Sequence, residues 1–464
     1  MNIYVKRLFV PNRSRNLPMA RMAFLALVLA LCPSLQAQDG INSPFSQFGV
    51  GMGNLPYNMP AASAIGGVTY TRAASNMVNP FNPASYAITG KETFVFDMGL
   101  NIEFSTLRNN NKSQFDADGN LGYLAFSLPL SKWWKTAFGV MPLTDVNYMT
   151  TQKVPVEPGG IVENIYYGTG SVSRFFWGHG FNIFGANDEK KPQLRAGFNA
   201  NFLYGSLTRT VTNNFEAADS TYFINKRRKK ETFINNFTFD FGLQYSQPIG
   251  ENHRLDAAFT MKPPQTMDIR ENAVVYTYVT QSSLEYPRDT IFPVGGGDNE
   301  YTSQLEQPLT LGFGLSLQRN NRWLVAADAT FAPWSGLKYT ENSEFEIFGK
   351  IPLQYGKNQR YALGIQLLGD KNSTSYLRRM TFSAGAHYES GCLRLALLDG
   401  TSHTLNEWGI GAGVALPMRK GRSVLNITLA YSSFGASDLL RRDAFTVGIS
   451  IGSCESWFVK RKFN

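Results

Sequence analysis

Histidine and cysteine are scarce in this chain, with four and three residues among 464. His179, His253, His387 and His403 are scattered and lack the spacing that would put two ligands on one metal, so no metal centre or other cofactor is expected. No serine or cysteine pairs convincingly with a histidine and an acid, so an enzyme is not expected. Charged residues make up 17% of the chain. Long apolar runs are also missing. The longest, Met22 to Cys32, is about half of the ~20 residues a spanning helix needs. A mean hydropathy of −0.21 argues against a multi-helix membrane protein.

The apolar run reads instead as the core of an export signal. Lys6, Arg7, Arg13, Arg15 and Arg21 precede it, and Leu35-Gln36-Ala37 offers a small-residue cleavage site after residue 37. Translation from Met1 or from Met19 fits this pattern. Pro33 after Cys32 does not suit a lipoprotein signal. Removing residues 1–37 takes five basic and no acidic residues, so the formal charge falls from +9 to +4. The basicity is then no argument for nucleic acid. Cys392 and Cys454 remain, either as two thiols or as a bridge, which export would permit.

Phenylalanine, tyrosine and glycine are abundant, at 34, 21 and 42 residues. They favour strands and tight turns. Residues 38–90 carry Pro44, Pro56, Pro60, Pro80 and Pro83 without helical or strand periodicity, yet hold Phe45, Phe48, Ile65, Tyr70 and Phe81. That is too apolar for a solvated linker. This segment is expected to be an ordered plug, ending in the two Asn-Pro turns of Asn79-Pro80-Phe81-Asn82-Pro83-Ala84.

From residue 91 the period is two. Phe94, Phe96, Met98, Leu100, Ile102 and Phe104 alternate with Asp97, Asn101 and Glu103, and similar rows recur to Ile451. A soluble sandwich would alternate too. Three features favour a transmembrane antiparallel β-barrel: the strands are long, the chain is exported without a spanning helix, and short connections alternate with long polar ones. The short ones are Ser131–Trp133, Ile249–His253, Arg319–Arg322 and Met418–Arg422. The long ones lie near 107–120, 150–164, 212–231, 280–303 and 340–358. Strands are expected to begin near 92, 120, 134, 165, 193, 233, 254, 305, 323, 359, 379, 405, 423 and 443. These make an all-β barrel of about 14 strands over residues 91–452, with residues 453–464 as a periplasmic tail. The inward row is polar: Asp97, Asn101, Glu103, Arg195, Asn199, Asp240 and Gln244.

In this layout the chain resembles the FadL-like family, outer-membrane transporters of long-chain fatty acids and aromatic hydrocarbons. The matching residues are Gly49-Val50-Gly51-Met52-Gly53, Ala64-Ile65-Gly66-Gly67-Val68 and Asn82-Pro83-Ala84. The resemblance implies a Gram-negative outer-membrane location and passive uptake of a hydrophobic small molecule past a plug gated at Asn79, Pro80, Asn82, Pro83 and Ala84. It also implies a lateral route at a kink in the third strand, where Pro142 stands. Phe215, Tyr222, Phe223, Tyr276, Tyr278, Tyr286 and Phe292 in the long loops could receive such a ligand, or could simply pack the loops together. Lys226, Arg227, Arg228, Lys229 and Lys230 in an external loop could bind the phosphates of lipopolysaccharide. Outer-membrane lipid and the hydrophobic ligand are then the partners, nucleic acid is not, and the barrel is expected to be a monomer. The alternative is a barrel that serves as a scaffold subunit of an outer-membrane secretion or assembly complex, with no transport of its own.

Overall fold

The computed structural model describes residues 43–456, apart from 48–50, 54–55, 91–92, 110–111, 157–159, 186–189, 217–223, 282–283, 292–299, 321, 337–338, 341–352, 397–400, 419–421 and 437–439. The described residues form nineteen strands in one antiparallel sheet. The first six are β1 (Thr93–Arg108), β2 (Ser113–Pro129), β3 (Trp134–Val156), β4 (Gly160–Phe184), β5 (Gln193–Glu216) and β6 (Asn225–Ile249). Next come β7 (His253–Lys262), β8 (Gln265–Gln281), β9 (Leu284–Ile291), β10 (Glu300–Gln307), β11 (Thr310–Arg319) and β12 (Trp323–Ala332). The last are β13 (Tyr339–Thr340), β14 (Leu353–Tyr355), β15 (Asn358–Leu367), β16 (Thr381–Ala396), β17 (Ser402–Pro417), β18 (Ser423–Ala436) and β19 (Leu440–Ser456).

Fourteen of these close the wall. The ring runs β1 to β7, then β11, β12 and β15 to β19, and β19 pairs back onto β1. The remaining five stand above it. Pro263 and Pro264 break β7 from β8, and Pro308 breaks β10 from β11. Proline offers no N–H to the ladder, so the strand kinks and resumes beyond it. Ten expected starts lie close to observed ones. β2, β4 and β6 begin earlier than 120, 165 and 233, at Ser113, Gly160 and Asn225, and the expected start at 305 falls inside β10. The last strand also outruns its expected end: Ser453–Ser456 pair with Thr93–Phe96, so they belong to the wall and not to a tail.

Side chains sort by the two-residue period. Leu100 on β1 is 48% exposed on the outer face, and its neighbour Asn101 is 5% exposed inside. Phe239, Phe241 and Leu243 face out on β6, with Asp240 and Gln244 inside. All seven polar residues expected to point inward are buried. At the short-turn end Trp133 stacks on Trp134 and Phe181, giving the aromatic girdle that suits a membrane interface.

At the other end several strands run far beyond a bilayer. β4 and β6 each have 25 residues, against the 9–11 or so that a tilted crossing needs. The long loops expected near 107–120, 150–164 and 212–231 are therefore largely hairpin. Their polar residues keep strand geometry because the ladder satisfies their backbone, while solvent takes both faces. From Met149 to Val156 every residue of β3 is exposed.

Candidate functional site

The described residues of 43–90 lie against the inner face of the wall, where inward side chains meet much of their backbone. The two Asn-Pro steps set the local geometry. The Asn79 side chain accepts from Phe81 N at 3.1 Å and donates to Thr69 O at 2.6 Å and Arg72 O at 2.9 Å. Asn82 accepts from Ala84 N at 3.1 Å, opening a short 3-10 turn from Pro83 to Ile88, and donates to Tyr70 O at 2.7 Å. Each asparagine thus caps its own turn and ties it to the turn at residues 69–72.

The wall supplies the rest. Asp328 on β12 accepts from Thr69 N at 2.6 Å and Tyr70 N at 2.9 Å. Asn199 on β5 donates to Pro80 O at 3.0 Å and accepts from the Tyr86 hydroxyl at 3.0 Å. Gln244 on β6 donates to Thr71 O at 2.6 Å, Arg360 on β15 to Gly67 O at 3.0 Å, and Thr428 on β18 to Pro60 O at 2.8 Å. Val78 N donates to Asp97 on β1 at 3.0 Å. Glycines make the close approach possible. A Cβ on Gly197 would sit 2.4 Å from the Pro83 carbonyl carbon, and one on Gly242 would sit 2.1 Å from Asn82 Oδ1. These inward glycines and single polar residues were visible as letters, but nothing local in the sequence joins them to residues 58–89.

Charge in this interior is mostly paired. Arg174 meets Asp240 at 3.3 Å with both side chains almost fully buried, and Glu103 pairs with Arg442. Arg72 donates to Ala61 O, and burial pushes its pKa down to about 10. A Gly-x-Ser-x-Gly spacing stands at Gly448–Gly452 and lies flat within β19. Ser450 there is buried and takes a hydrogen bond from Asn426 at 3.0 Å. A nucleophile elbow needs a strand-to-helix turn, so this is wall and not a catalytic motif.

Pro142 breaks the register of β3 against β4, which shifts between Pro142 and Thr144. Its other neighbour changes at the same level. β2 pairs with β3 only from Leu124–Val140 down to Pro129–Lys135, and above this no ladder joins them among the described residues. There the N-terminal segment takes over part of the edge. Met52 and Asp145 exchange backbone bonds of 3.0 Å in each direction, and Ser43 N donates to Asn147 O at 2.7 Å.

The aromatics expected in loops are on strands. Phe215 lies on β5, Tyr276 and Tyr278 on β8, and Tyr286 on β9, while Tyr222, Phe223 and Phe292 fall outside the described residues. Tyr276 and Tyr278 flank Arg227, whose guanidinium lies 5.5 and 4.9 Å from their ring centres and 2.7 Å from Glu285. Burial lowers the Arg227 pKa, but the hydrogen bonds it donates to Glu285 and Tyr276 outweigh this and raise it. The basic run is likewise not a loop but the start of β6, where β5 and β8 hold it on both sides. Lys229 pairs with Glu231 at 2.7 Å and Lys230 with the buried Glu271 at 3.0 Å. Arg228 reaches Asn213 at 3.4 Å, and Lys226 is exposed.

The BamG family model matches residues 19–464. The chain belongs to the BamG family. No protein of curated function matches it in sequence. In fold it is similar to FadL-like barrels. It resembles the CymD monoaromatic hydrocarbon channel at 14% identity and a TM-score of 0.50, over 89% of this chain and 99% of that one. It resembles the deltaS2S3 mutant of the TodX monoaromatic hydrocarbon channel at 13% identity and a TM-score of 0.52, over 86% and 99%. The Pseudomonas putida toluene transporter TodX itself gives 13% identity and a TM-score of 0.49, over 88% and 98%. Membership of the BamG family and a FadL-like fold together describe an outer-membrane β-barrel of a Gram-negative bacterium.

Proposed function

We propose that this chain is a closed barrel serving as a membrane-embedded subunit of a larger outer-membrane complex, with the protruding hairpins of β3–β6 and β8 as its contact surface. The observation that carries this reading is the tethering of residues 43–90, a plug in this view, by buried hydrogen bonds to β1, β5, β6, β12, β15 and β18. Moving the plug would strand several buried polar groups at once, each costing about 1–3 kcal/mol. Its Asn79–Ala84 turn is then a fixed lock and not a gate. The polar lumen also gives an apolar cargo little to dissolve in, since transfer of apolar surface gains about 25 cal/mol per Å² only against apolar walls. Native extraction in mild detergent should recover the chain with a partner in fixed ratio. Shortening the β3–β4 hairpin above Thr150 should release that partner while the barrel keeps its heat-dependent gel mobility. A chain that purifies alone, with or without the hairpin, would sink this reading.

A second reading is passive uptake of hydrophobic small molecules of the fatty-acid or aromatic type, as the names of the hydrocarbon channels suggest. The loss of β2–β3 pairing above Val140, beside Pro142, favours it, because a lateral opening there would lead from the lumen to the membrane. Toluene uptake by liposomes carrying the pure protein should then exceed that of empty liposomes, and it should fall when a cysteine pair locks β2 to β3 above Leu124. Under the first reading both liposomes behave alike.

A further inference from the structure

A polar cavity of about 40 Å³ lies between the N-terminal segment and the wall of β1, β2 and β16 to β19. Tyr57, Asn101, Glu103, Asn120, His387, Glu407 and Arg442 line it. That volume takes about three water-sized centres, enough for a charged head and a short stem. The unusual feature is how many of its polar atoms have no hydrogen-bond partner among the described residues. They are the Tyr57 hydroxyl, the side-chain carbonyls of Asn101 and Asn120, both ring nitrogens of His387 and Nε of Arg442. Asn101 is 5% exposed and Arg442 6%. Buried polar atoms are seldom left unpaired, so a cluster of them marks a place where something else binds.

The chemistry of that partner follows from the balance of groups. Two carboxylates face the cavity against one guanidinium, and Glu103 already holds Arg442. The one ion-pair contact of Glu407 among the described residues is His387 Nε2 at 3.7 Å, which is beyond hydrogen-bond reach. Tyr57 stacks on His387 with ring centres 4.1 Å apart, fixing the imidazole at the cavity edge. Glu389, opposite Glu407 across the β16–β17 ladder, takes a hydrogen bond from Asn358, and Arg360 lies 5.8 Å from the Tyr57 ring centre and donates to Gly67 O. Two amide oxygens and a carboxylate without a cationic partner ask for a donor-rich positive group.

We propose that this cavity is a binding site for a small organic cation, an alkylammonium or guanidinium the size of a lysine or arginine terminus. Glu407 supplies the charge and Asn101 and Asn120 the acceptors. The site does not depend on whether the barrel transports. The test uses the full chain in detergent micelles at mildly alkaline pH, with methylguanidinium as the probe and uncharged N-methylurea as its isostere. Titration calorimetry should show one saturable site of roughly millimolar affinity for methylguanidinium and none for N-methylurea. Glu407→Gln and Asn120→Ala should each weaken binding, the first by about tenfold or more. Glu285→Gln on the outer hairpins should not change it. Heat-dependent gel mobility verifies that each variant is folded. If methylguanidinium fails to saturate the wild type, the cavity holds water only and the proposal is wrong. Equal binding of N-methylurea, or unchanged affinity in folded Glu407→Gln, overturns it as well.

Discussion

Residues 43–90 and the outer halves of β3–β6 both lie outside the membrane-crossing ladder, and both are rich in asparagine, threonine and serine. They are ordered by different bonds. The outer hairpins satisfy backbone with backbone, as β4 does with β5 from Ile161–Glu216 downward. Among the described residues the N-terminal segment has one isolated bridge, Met52–Asp145, and one further backbone bond, Ser43 N to Asn147 O, and otherwise relies on its own turns and on side-chain hydrogen bonds with the wall. A ladder spreads its stability over many equivalent bonds. The tethered segment concentrates it in a few residues that cannot be replaced. Point mutations should therefore hurt the interior, and the buried foot of the hairpins, far more than the exposed outer parts of the hairpins.

The sharpest break of that contrast is Gly197→Leu. The new side chain would occupy the space of the Pro83 carbonyl, so the segment must leave its seat. We expect protease cleavage within residues 43–90 and a pore conductance in planar bilayers that the wild type lacks. Glu271→Ala comes next, at the foot of the hairpins, because it leaves Lys230 in a nearly buried place without its 3.0 Å carboxylate. Losing one member of a buried pair costs about 3–5 kcal/mol, which thermal unfolding followed by gel mobility will read. Asp328→Ala removes the acceptor of two buried N–H groups and should cost roughly 3 kcal/mol by the same assay. The smallest effect belongs to the outer hairpins. Arg227→Ala breaks a half-exposed contact with Tyr276, Tyr278 and Glu285, and hydrogen exchange of β8 should change by at most about 1 kcal/mol. If Arg227→Ala proves costlier than Asp328→Ala, the contrast is wrong.

The same contrast explains what could be read in advance. The wall was legible because a membrane imposes a two-residue alternation, and Asp97, Asn101 and Glu103 sit inside just where it puts them. The hairpins were missed because strands solvated on both faces, such as Thr150–Val156, need no alternation. Lys226–Lys230 looked like a solvated loop for the same reason, since a run of cations shows nothing of the β5 and β8 backbones beside it. An ordered N-terminal segment could be inferred from its apolar content. Its tethers could not, because Thr69 finds Asp328 across 259 positions and no local pattern encodes such a pair.

Those separations also constrain the order of assembly. Residues 43–90 leave the ribosome before the wall, yet their bonding partners extend to Thr428, 368 positions beyond Pro60. Contacts of such high order form late and slowly. The seam of the wall, β1 against β19, zips over the whole of β1 from Thr93 to Arg108. A segment held from β1, β5, β6, β12, β15 and β18 meets all of its partners only when the sheet has curled, so the rolling of the cylinder and the seating of its filling are coupled events.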